Sequence, residues 1–319
     1  MPHNMRGARG IGSFGVVAVL AEQRSVPAAV GFTPTDALLA VMVLIWGLNY
    51  IVLKAVLREV NPIALNAGRF TIAAAVLAVV ARASGARLPE RRDWRRLVAM
   101  GLVGNTIYQF LFIEGVAHTR ASNAALIMAA VPVQTAVLSH LRGVDRLRGR
   151  DALGLLLSTA GIVTIVLGSS AGVRFGGGAS AVGDLLVFCA TTCWSVYIIG
   201  CKPLADRYGA VATTAWTMIV GAAALAALSL PAVVAQPWRA VSALALTGLV
   251  VSALGALVVG YLIWFRGVAR LGPARTAMYS NFTPVVASLS AWPLLGEAPT
   301  LWQAAGAAGI FGGIWLTRT

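Results

Sequence analysis

The sequence predicts an all-α integral membrane protein with ten transmembrane helices, arranged as two inverted five-helix repeats. Of its 319 residues, 58% are hydrophobic and only 11% are charged, and the mean hydropathy is +0.81. A water-soluble protein of this composition could not cover its apolar residues with polar surface. The apolar residues also form runs long enough to cross a bilayer, and the pattern of one run returns in a later one. These three observations give the fold class.

Ten apolar runs of roughly 17 to 25 residues are each long enough to span the hydrocarbon core of a membrane. None has the alternating pattern of a strand, and alanine and glycine are abundant. The runs are therefore predicted to be helices, in which every backbone group is satisfied in lipid. In chain order they occupy residues 37–57, 62–82, 97–117, 122–141, 152–169, 183–201, 211–231, 241–265, 276–294 and 301–317.

Residues 1–35 precede the first run and are predicted to form a disordered cytoplasmic tail. Basic residues followed by a short apolar stretch at 11–21 also match a signal peptide, although polytopic membrane proteins usually insert through their first true span. A translation start placed too early is a further alternative for this segment.

Lysine and arginine are distributed unequally between the two sides of the predicted membrane. With the N-terminus inside, 19 of the 25 basic residues lie in inner segments, four in outer loops and two within spans. This bias marks the cytoplasmic side, so both termini are predicted to be cytoplasmic. The net charge of +14 thus belongs to short loops and does not indicate binding of nucleic acid.

The chain carries an internal repeat. The segment at residues 45–54 reads IWGLNYIVLK, and a related segment at 193–202 reads CWSVYIIGCK. Further along, VPVQTAVLSHLRGVD at 131–145 matches TPVVASLSAWPLLGE at 283–297. We interpret the chain as a first repeat at 36–169, a periplasmic linker at 170–182 and a second repeat at 183–319. Because five is an odd number of helices, the second repeat must cross the membrane in the opposite orientation, as in alternating-access transporters.

These segments resemble those of a known family. Together with NPIALNAGRF at 61–70 and LLGEAPTLWQAAGAAGIFGG at 294–313, they are similar to the EamA-type, ten-helix members of the drug/metabolite transporter superfamily. The resemblance covers residues 36–317 and implies transport of small metabolites, often amino acids, without ATP. Asp145 stands where such proteins commonly have glutamate, and this substitution keeps the charge.

The sequence contains no motif for a cofactor, a metal or catalysis. It lacks the G-x-x-x-x-G-K-[ST] loop of nucleotide-driven pumps, and the triple glycine Gly176–Gly178 is interpreted as a flexible connection between the two halves. The three cysteines fall in one apolar segment and the three histidines are scattered along the chain, so no metal site is predicted. We therefore expect a protein that is not an enzyme and holds no cofactor.

Polar and aromatic residues within the spans are the candidates for contact with a solute, because each costs free energy unless it is paired or faces water. On the third helix, Asn105, Tyr108, Gln109 and Phe112 have the spacing of one helix face and are predicted to line a cavity. The alternative is that the amides join helices by hydrogen bonds. The further predicted contacts are Asn49, Trp194, Tyr197, Tyr261 and Asn281. For Tyr261 and Trp264 the alternative is anchoring at the membrane interface, and for Trp46 helix packing is the favoured interpretation.

Arg69 and Glu114 are predicted to form an ion pair near the outer ends of helices two and three, because an outward-reaching guanidinium at that depth could meet the carboxylate. Glu114 is the only carboxylate clearly inside a predicted span. It is therefore also the one candidate for carrying a proton.

Small residues and prolines have structural interpretations. Glycine and serine on helices five and ten let backbones approach closely and could form the seam of a homodimer: Gly154, Ser158, Gly161, Gly306, Gly309 and Gly313. Pro132 and Pro284 interrupt corresponding helices and are hypothetical hinges for rocking motions.

The resemblance implies secondary transport across a bacterial-type inner membrane, with export as the expected direction, of small neutral or zwitterionic metabolites, above all amino acids. The predicted cavity offers amides, phenols and indoles and little fixed charge, which suits a zwitterion. One alternative is a multidrug exporter of cationic compounds. Another is a membrane enzyme acting on lipid phosphates, which would need acids, bases or metal ligands gathered at one membrane face. The expected partners are a small-molecule substrate and the lipid bilayer.

Overall fold

The fold is taken from a computed structural model that describes residues 32–118, 124, 127–128, 130–144, 148–167, 179–283, 285–286, 289–290 and 301–318. The described residues are helical apart from turns and short connections, and they contain no strand. Several predictions concern residues outside these ranges and are not addressed by the structure. They are the tail before residue 32, the glycines Gly176–Gly178, and the residues Asp145 and Pro284.

The helices follow the predicted order. We label them α1 (Pro34–Val56), α2 (Pro62–Ala83), α3 (Arg91–Leu102, Val103–Ile107 and Tyr108–His118), α4 (Val131–Leu141), α5 (Gly149–Leu167), α6 and α7 (within Ala179–Ala235), α8 (Ala243–Ser252, Ala253–Val259 and Gly260–Leu271), α9 (Pro273–Tyr279) and α10 (Leu301–Arg318). A 3-10 turn, Trp238–Ala240, connects α7 to α8, and another, Ser280–Phe282, follows α9.

Five described helical segments are long and apolar enough to cross a membrane, so the protein is an integral membrane protein. The longest helical stretch, Ala179–Ala235, has 57 residues and would extend about 85 Å at about 1.5 Å per residue, far more than a single crossing of about 30 Å. Gly209 interrupts it with φ 81° and ψ 170°, a conformation that glycine adopts without steric cost. Residues 179–208 therefore form α6 and residues 210–235 form α7, two successive helices that match two predicted runs.

Local chemistry fixes where the first helices begin. Thr33 and Asp36 form a capping box at the start of α1, in which the Asp36 carboxylate accepts hydrogen bonds from the Thr33 backbone and hydroxyl at 2.6 Å. The Tyr279 hydroxyl donates to the other oxygen of the same carboxylate. Asn61 caps α2 by accepting from the backbone nitrogen of Ile63 at 2.9 Å. Proline is the first residue of both helices, where its missing N–H costs nothing.

Polar contacts tie loops of the two halves together on the predicted outer side. Glu59, after α1, accepts from the backbone and hydroxyl of Ser242, before α8, at 2.6 and 2.9 Å. These hydrogen bonds lower the pKa of the Glu59 carboxyl. Gln236 adds a second bridge, since it accepts from Asn61 N at 2.9 Å and donates to Glu59 O at 3.0 Å. The α1–α2 and α7–α8 connections therefore lie on the same side of the bundle.

A charged network joins the start of α3 to the end of α6. Arg207 pairs with Glu90 at 2.5 Å and with Asp93 at 2.8 Å, and the Tyr208 hydroxyl donates to Asp93 at 2.5 Å. Because α2 separates these contacts from those at Glu59, the two groups lie at opposite ends of the bundle.

Helices α5 and α10 pack with their backbones in close contact. A Cβ atom placed on Gly161 would lie 2.5 Å from the carbonyl oxygen of Gly306, and one on Gly313 would lie 2.4 Å from that of Gly154. The small residues that could have formed a homodimer seam thus face one another within a single chain. These residues pack α5 against α10 within the chain, and a homodimer stays a prediction.

Candidate substrate-binding site

Seven aromatic side chains from four helices meet in the core. We call them the aromatic cluster, and it comprises Trp46 of α1, Tyr108 and Phe112 of α3, Trp194 and Tyr197 of α6, and Tyr261 and Trp264 of α8. Trp194 lies at its centre. Its ring centroid is 5.2 Å from that of Tyr108, 5.4 Å from Tyr197, 5.7 Å from Tyr261 and 5.8 Å from Trp264. These distances are typical of favourable aromatic pairs.

The α8 aromatics are core residues and not interfacial anchors. Tyr261 is 4% exposed and Trp264 is fully buried, so the interfacial alternative is wrong for both. Trp46 stacks on Trp264 with centroids 5.3 Å apart, and its indole nitrogen donates to the backbone oxygen of Ala256 at 3.0 Å. A Cβ on Gly260 would approach that nitrogen to 2.4 Å, so the glycine creates the room for Trp46. Trp46 thus packs between helices, as predicted, and its neighbours are other rings of the aromatic cluster.

The side chains of the polar stripe predicted on α3 contact three different neighbouring helices. Residues Val103–Ile107 form a π-helical turn, which changes the angular spacing of side chains and often occurs at functional sites. Asn105 is fully buried and donates to the Tyr197 hydroxyl at 3.4 Å and to the carbonyl oxygen of Thr217 at 3.2 Å. It therefore joins α3 to α6 and α7, as in the hydrogen-bonding alternative. Tyr108 instead directs its ring toward Trp194.

Tyr197 has its hydroxyl within the same network. The hydroxyl lies 3.0 Å from the Thr217 hydroxyl, and both residues are completely buried. A Cβ on Gly104 would lie 2.2 Å from the Tyr197 ring, so α3 packs directly over that ring. The polar end of Tyr197 thus serves packing between helices, and its ring contributes to the aromatic cluster.

Gln109 belongs to a second chain of hydrogen bonds, which connects α3 to α2. The Asn66 amide donates to the Gln109 carbonyl oxygen at 3.2 Å, and Arg69 donates from Nη1 to the Asn66 oxygen at 3.3 Å. All three side chains are buried, with exposures of 7 to 9%. Gln109 directly follows Tyr108, which belongs to the aromatic cluster. This polar chain therefore adjoins the aromatic cluster.

The predicted ion pair between Arg69 and Glu114 does not form. Arg69 donates to Asn66, whereas the Glu114 side chain is 50% exposed and lies 4.0 Å from Nδ1 of His118. The prediction considered depth in the membrane but not direction around the helix. Glu114 is five residues beyond Gln109, so its side chain points about 140° away from it at about 100° per residue. Because Gln109 faces α2, the Glu114 side chain points away from α2 and cannot reach Arg69.

Two other predicted contacts connect helices. Asn49 accepts a hydrogen bond from the Ser252 hydroxyl at 2.5 Å and joins α1 to α8. Asn281, 2% exposed, donates to the Ser158 hydroxyl at 2.8 Å and joins the segment after α9 to α5. Both amides use these side-chain bonds for helix packing.

Asn66 is the residue of this site that the sequence analysis missed. It lies three residues before Arg69, a spacing that places both on one face of α2. A polar pair on one face of an otherwise apolar helix was the available signal.

Two cavities lie beside the bundle core. One of about 450 Å³ has an almost entirely apolar lining from α2, α7 and α8, including Ala67, Leu230 and Leu249. The other, of about 230 Å³, is lined by Arg96, Arg142 and apolar residues of α3, α4 and α6. None of the lining residues belongs to the aromatic cluster.

Comparisons with known proteins agree with this architecture. The sequence model of the EamA-like transporter family matches residues 33–167 and again residues 181–319. A protein of Streptantibioticus cattleyicolor named "Probable terminal-alkyne amino-acid exporter" is 28% identical, over 88% of this chain and 92% of its own length. An uncharacterized transporter of Archaeoglobus fulgidus is 29% identical, over 89% of this chain and 96% of its own length. The uncharacterized transporter YyaM of Bacillus subtilis is 26% identical, over 84% of this chain and 88% of its own length. One crystal structure matches with a TM-score of 0.75 at 22% identity and covers 89% of this chain and 96% of its own, which supports the fold alone.

Proposed function

Because this chain belongs to the EamA-like transporter family, we propose that it is a secondary exporter of small neutral or zwitterionic metabolites, with amino acids as the favoured substrates. The observation that carries this proposal is the aromatic cluster. It is built from α1 and α3 in the first family match and from α6 and α8 in the second. In transporters made of repeats, the substrate site lies between the repeats near the middle of the membrane.

Alternating access follows from the proposed inverted repeat. The family model matches the chain twice, and the π-helical turns at Val103–Ile107 and Ala253–Val259 occupy positions that correspond at an offset of about 152 residues in the two halves. Contacts at Glu59 on one side and at Asp93 on the other join the halves at both ends of the bundle. Rocking one half against the other would open these contacts in turn and expose the cluster to each side.

Amino acids fit this site better than organic cations. Aromatic rings attract cations, which favours the multidrug alternative, but the buried guanidinium of Arg69 opposes it. A second positive charge bound beside this guanidinium would be repelled by it. A zwitterion can direct its carboxylate toward the guanidinium and avoid this cost. The relative that is named as an amino-acid exporter supports the same choice.

The transport prediction is tested in proteoliposomes that contain the purified protein and are preloaded with labelled amino acids. We expect the protein to accelerate their loss, and its overproduction in cells to raise tolerance to toxic amino-acid analogues. Gln109→Ala and Tyr108→Ala should reduce the flux at least several-fold without reducing the yield of folded protein. Thr247→Ala is the control, because its exposed hydroxyl bonds only to Ala243 O of its own helix, at 2.8 Å.

Two results would contradict the proposal. If no amino acid in a broad panel moves while organic cations do, the protein is a multidrug exporter. If lipid phosphates are hydrolysed without any solute flux, it is an enzyme. Normal flux in both the Gln109 and Tyr108 variants would remove these residues from the site.

The proposed orientation, with both termini cytoplasmic, has its own test. The native cysteines, Cys189, Cys193 and Cys201, are first replaced by alanine or serine. Single cysteines at Arg92 and Arg148 should then be shielded from an impermeant thiol reagent in intact cells, whereas cysteines at Arg58 and Gly177 should react. The reverse labelling pattern would invert the topology, and permeabilised cells control for accessibility.

A further inference from the structure

Among the residues that the structure describes, Arg69 is a buried cation without an acidic partner. Its side chain is buried, with the residue only 7% exposed, and its one hydrogen bond runs from Nη1 to the Asn66 oxygen at 3.3 Å. Its Nε has no hydrogen-bond partner. Among the described residues, no carboxylate oxygen lies within 4.0 Å of this guanidinium, although several other arginines have such pairs.

This arrangement is costly in the absence of a ligand. A guanidinium has five N–H donors, and one amide oxygen satisfies only one of them here. Burying an unpaired charge costs several kcal/mol, and charged groups inside membrane spans typically pair or mark a substrate pathway. A single weak bond from a neutral amide does not offset that cost. The site is therefore electrostatically prepared for an anion.

The neighbouring groups supply further donors. Gln109 uses its carbonyl oxygen to accept from Asn66, and its amide nitrogen has no partner among the described residues. Among the described residues, the Trp264 indole N–H is also buried without a partner. Buried donors without partners are rare in folded proteins and call for an explanation such as a bound ligand. Gln109 thus offers an unpaired donor in the polar chain, and Trp264 offers one in the aromatic cluster.

We propose that Arg69 binds the carboxylate of the substrate, with the Gln109 amide as a second donor and the aromatic cluster as the surface for the substrate's side group. This inference rests on the proposed function and makes it more specific: transported compounds carry a free carboxylate. Guanidinium and carboxylate form paired, charge-assisted hydrogen bonds with matched geometry. A carboxylate brings one negative charge to one unpaired positive charge, whereas a phosphate would leave excess negative charge buried.

The wild-type protein provides the first test. Transport of a labelled amino acid is measured in competition with the unlabelled acid, its amide and its methyl ester, which have nearly the same size but no carboxylate. We expect the amide and the ester to compete at least tenfold more weakly, since hydrogen bonds to charged groups are stronger than neutral ones. Equal competition by acid and amide would overturn the carboxylate assignment while leaving amino-acid transport intact. If the wild type transports neither the amino acid nor its amide, the proposed function itself fails, and the inference fails with it.

Variants of Arg69 provide the second test. Arg69→Gln should remove the preference for the acid over the amide without lowering the thermal stability of the empty protein, because it removes a buried unpaired charge. Arg69→Lys keeps the charge but loses the paired N–H donors of the guanidinium, so it should retain a reduced preference for the acid over the amide. Arg82→Gln is the matched control at the exposed end of the same helix and should behave as wild type. A purely structural Arg69 would give the opposite pattern: lower stability in Arg69→Gln, with the preference for the acid unchanged in the transport that remains.

Discussion

Replacing Gly313 with alanine is expected to destabilise the folded protein, because overpacking a core usually costs about 1–3 kcal/mol. The added Cβ would lie 2.4 Å from the carbonyl oxygen of Gly154 and 2.7 Å from the backbone nitrogen of Ser158. Both atoms belong to the α5 backbone, so the contact is relieved only if α5 and α10 move apart. Alanine favours a helix over glycine by about 1 kcal/mol, but this gain is smaller than the expected loss. The measurement is the midpoint of thermal unfolding in one detergent.

Gly312 provides the control because it is the adjacent residue of the same helix. A Cβ there would meet only the Leu157 side chain, at 3.4 Å, which is an ordinary contact distance. Gly312→Ala should therefore leave the unfolding midpoint unchanged or raise it, through better helix propensity. If both alanine variants shift the midpoint in the same direction, backbone contact between α5 and α10 does not explain the role of Gly313.

Most helices could be predicted because hydrophobicity is a strong and local signal. The runs at 37–57 and 62–82 correspond to Pro34–Val56 and Pro62–Ala83, and two runs correspond to the long stretch that breaks at Gly209. A span needs only enough apolar length to satisfy the membrane, and length can be counted along the chain. The described parts of α4 and α9 are short, with 11 and 7 residues, so the predicted number of ten spans stays a prediction.

The candidate site was predictable in its residue types but not in its pairings. The sequence identifies Trp194, Tyr108 and Tyr261 as polar or aromatic residues within spans, and the structure brings their rings together. The partners of Arg69 and Asn105 cannot be predicted from the sequence, because they depend on rotation about the helix axis and on which helices become neighbours. The π-helical turn in α3 changes that rotation, and its sequence, VGNTI, does not indicate a π-helix.

Glycine had a larger role than its sequence pattern indicated. Gly104, Gly221 and Gly260 each lie against a residue of the polar or aromatic site, with a Cβ that would come within 2.2 to 2.4 Å of Tyr197, Asn105 or Trp46. The large side chains of the site therefore occupy space left by glycines on neighbouring helices. A single sequence indicates that glycine is abundant in the spans, but only the packed structure identifies which ring each glycine accommodates.

Replacing Trp194 with alanine is expected to abolish most transport and to cost about 3–5 kcal/mol of stability, as for other buried aromatic residues. Trp194 is 7% exposed and its ring contacts those of Tyr108, Tyr197, Tyr261 and Trp264, so its loss opens a cavity at the centre of the cluster. Helices α3, α6 and α8 would lose their common contact. The flux of an amino acid, measured per mole of monodisperse protein, should fall at least tenfold.

Two further variants separate loss of the site from loss of the fold. Trp302→Ala removes a tryptophan that is 57% exposed, and it should leave both flux and unfolding midpoint near the wild-type values. Trp194→Phe keeps a ring that can still contact Tyr108 and Tyr261, so it should recover most of the stability while changing the relative rates for amino acids with large and small side groups. If Trp194→Phe is stable and transports every amino acid at wild-type relative rates, the cluster supports the fold without contacting the substrate. A change in those relative rates at unchanged stability places the substrate's side group against this ring.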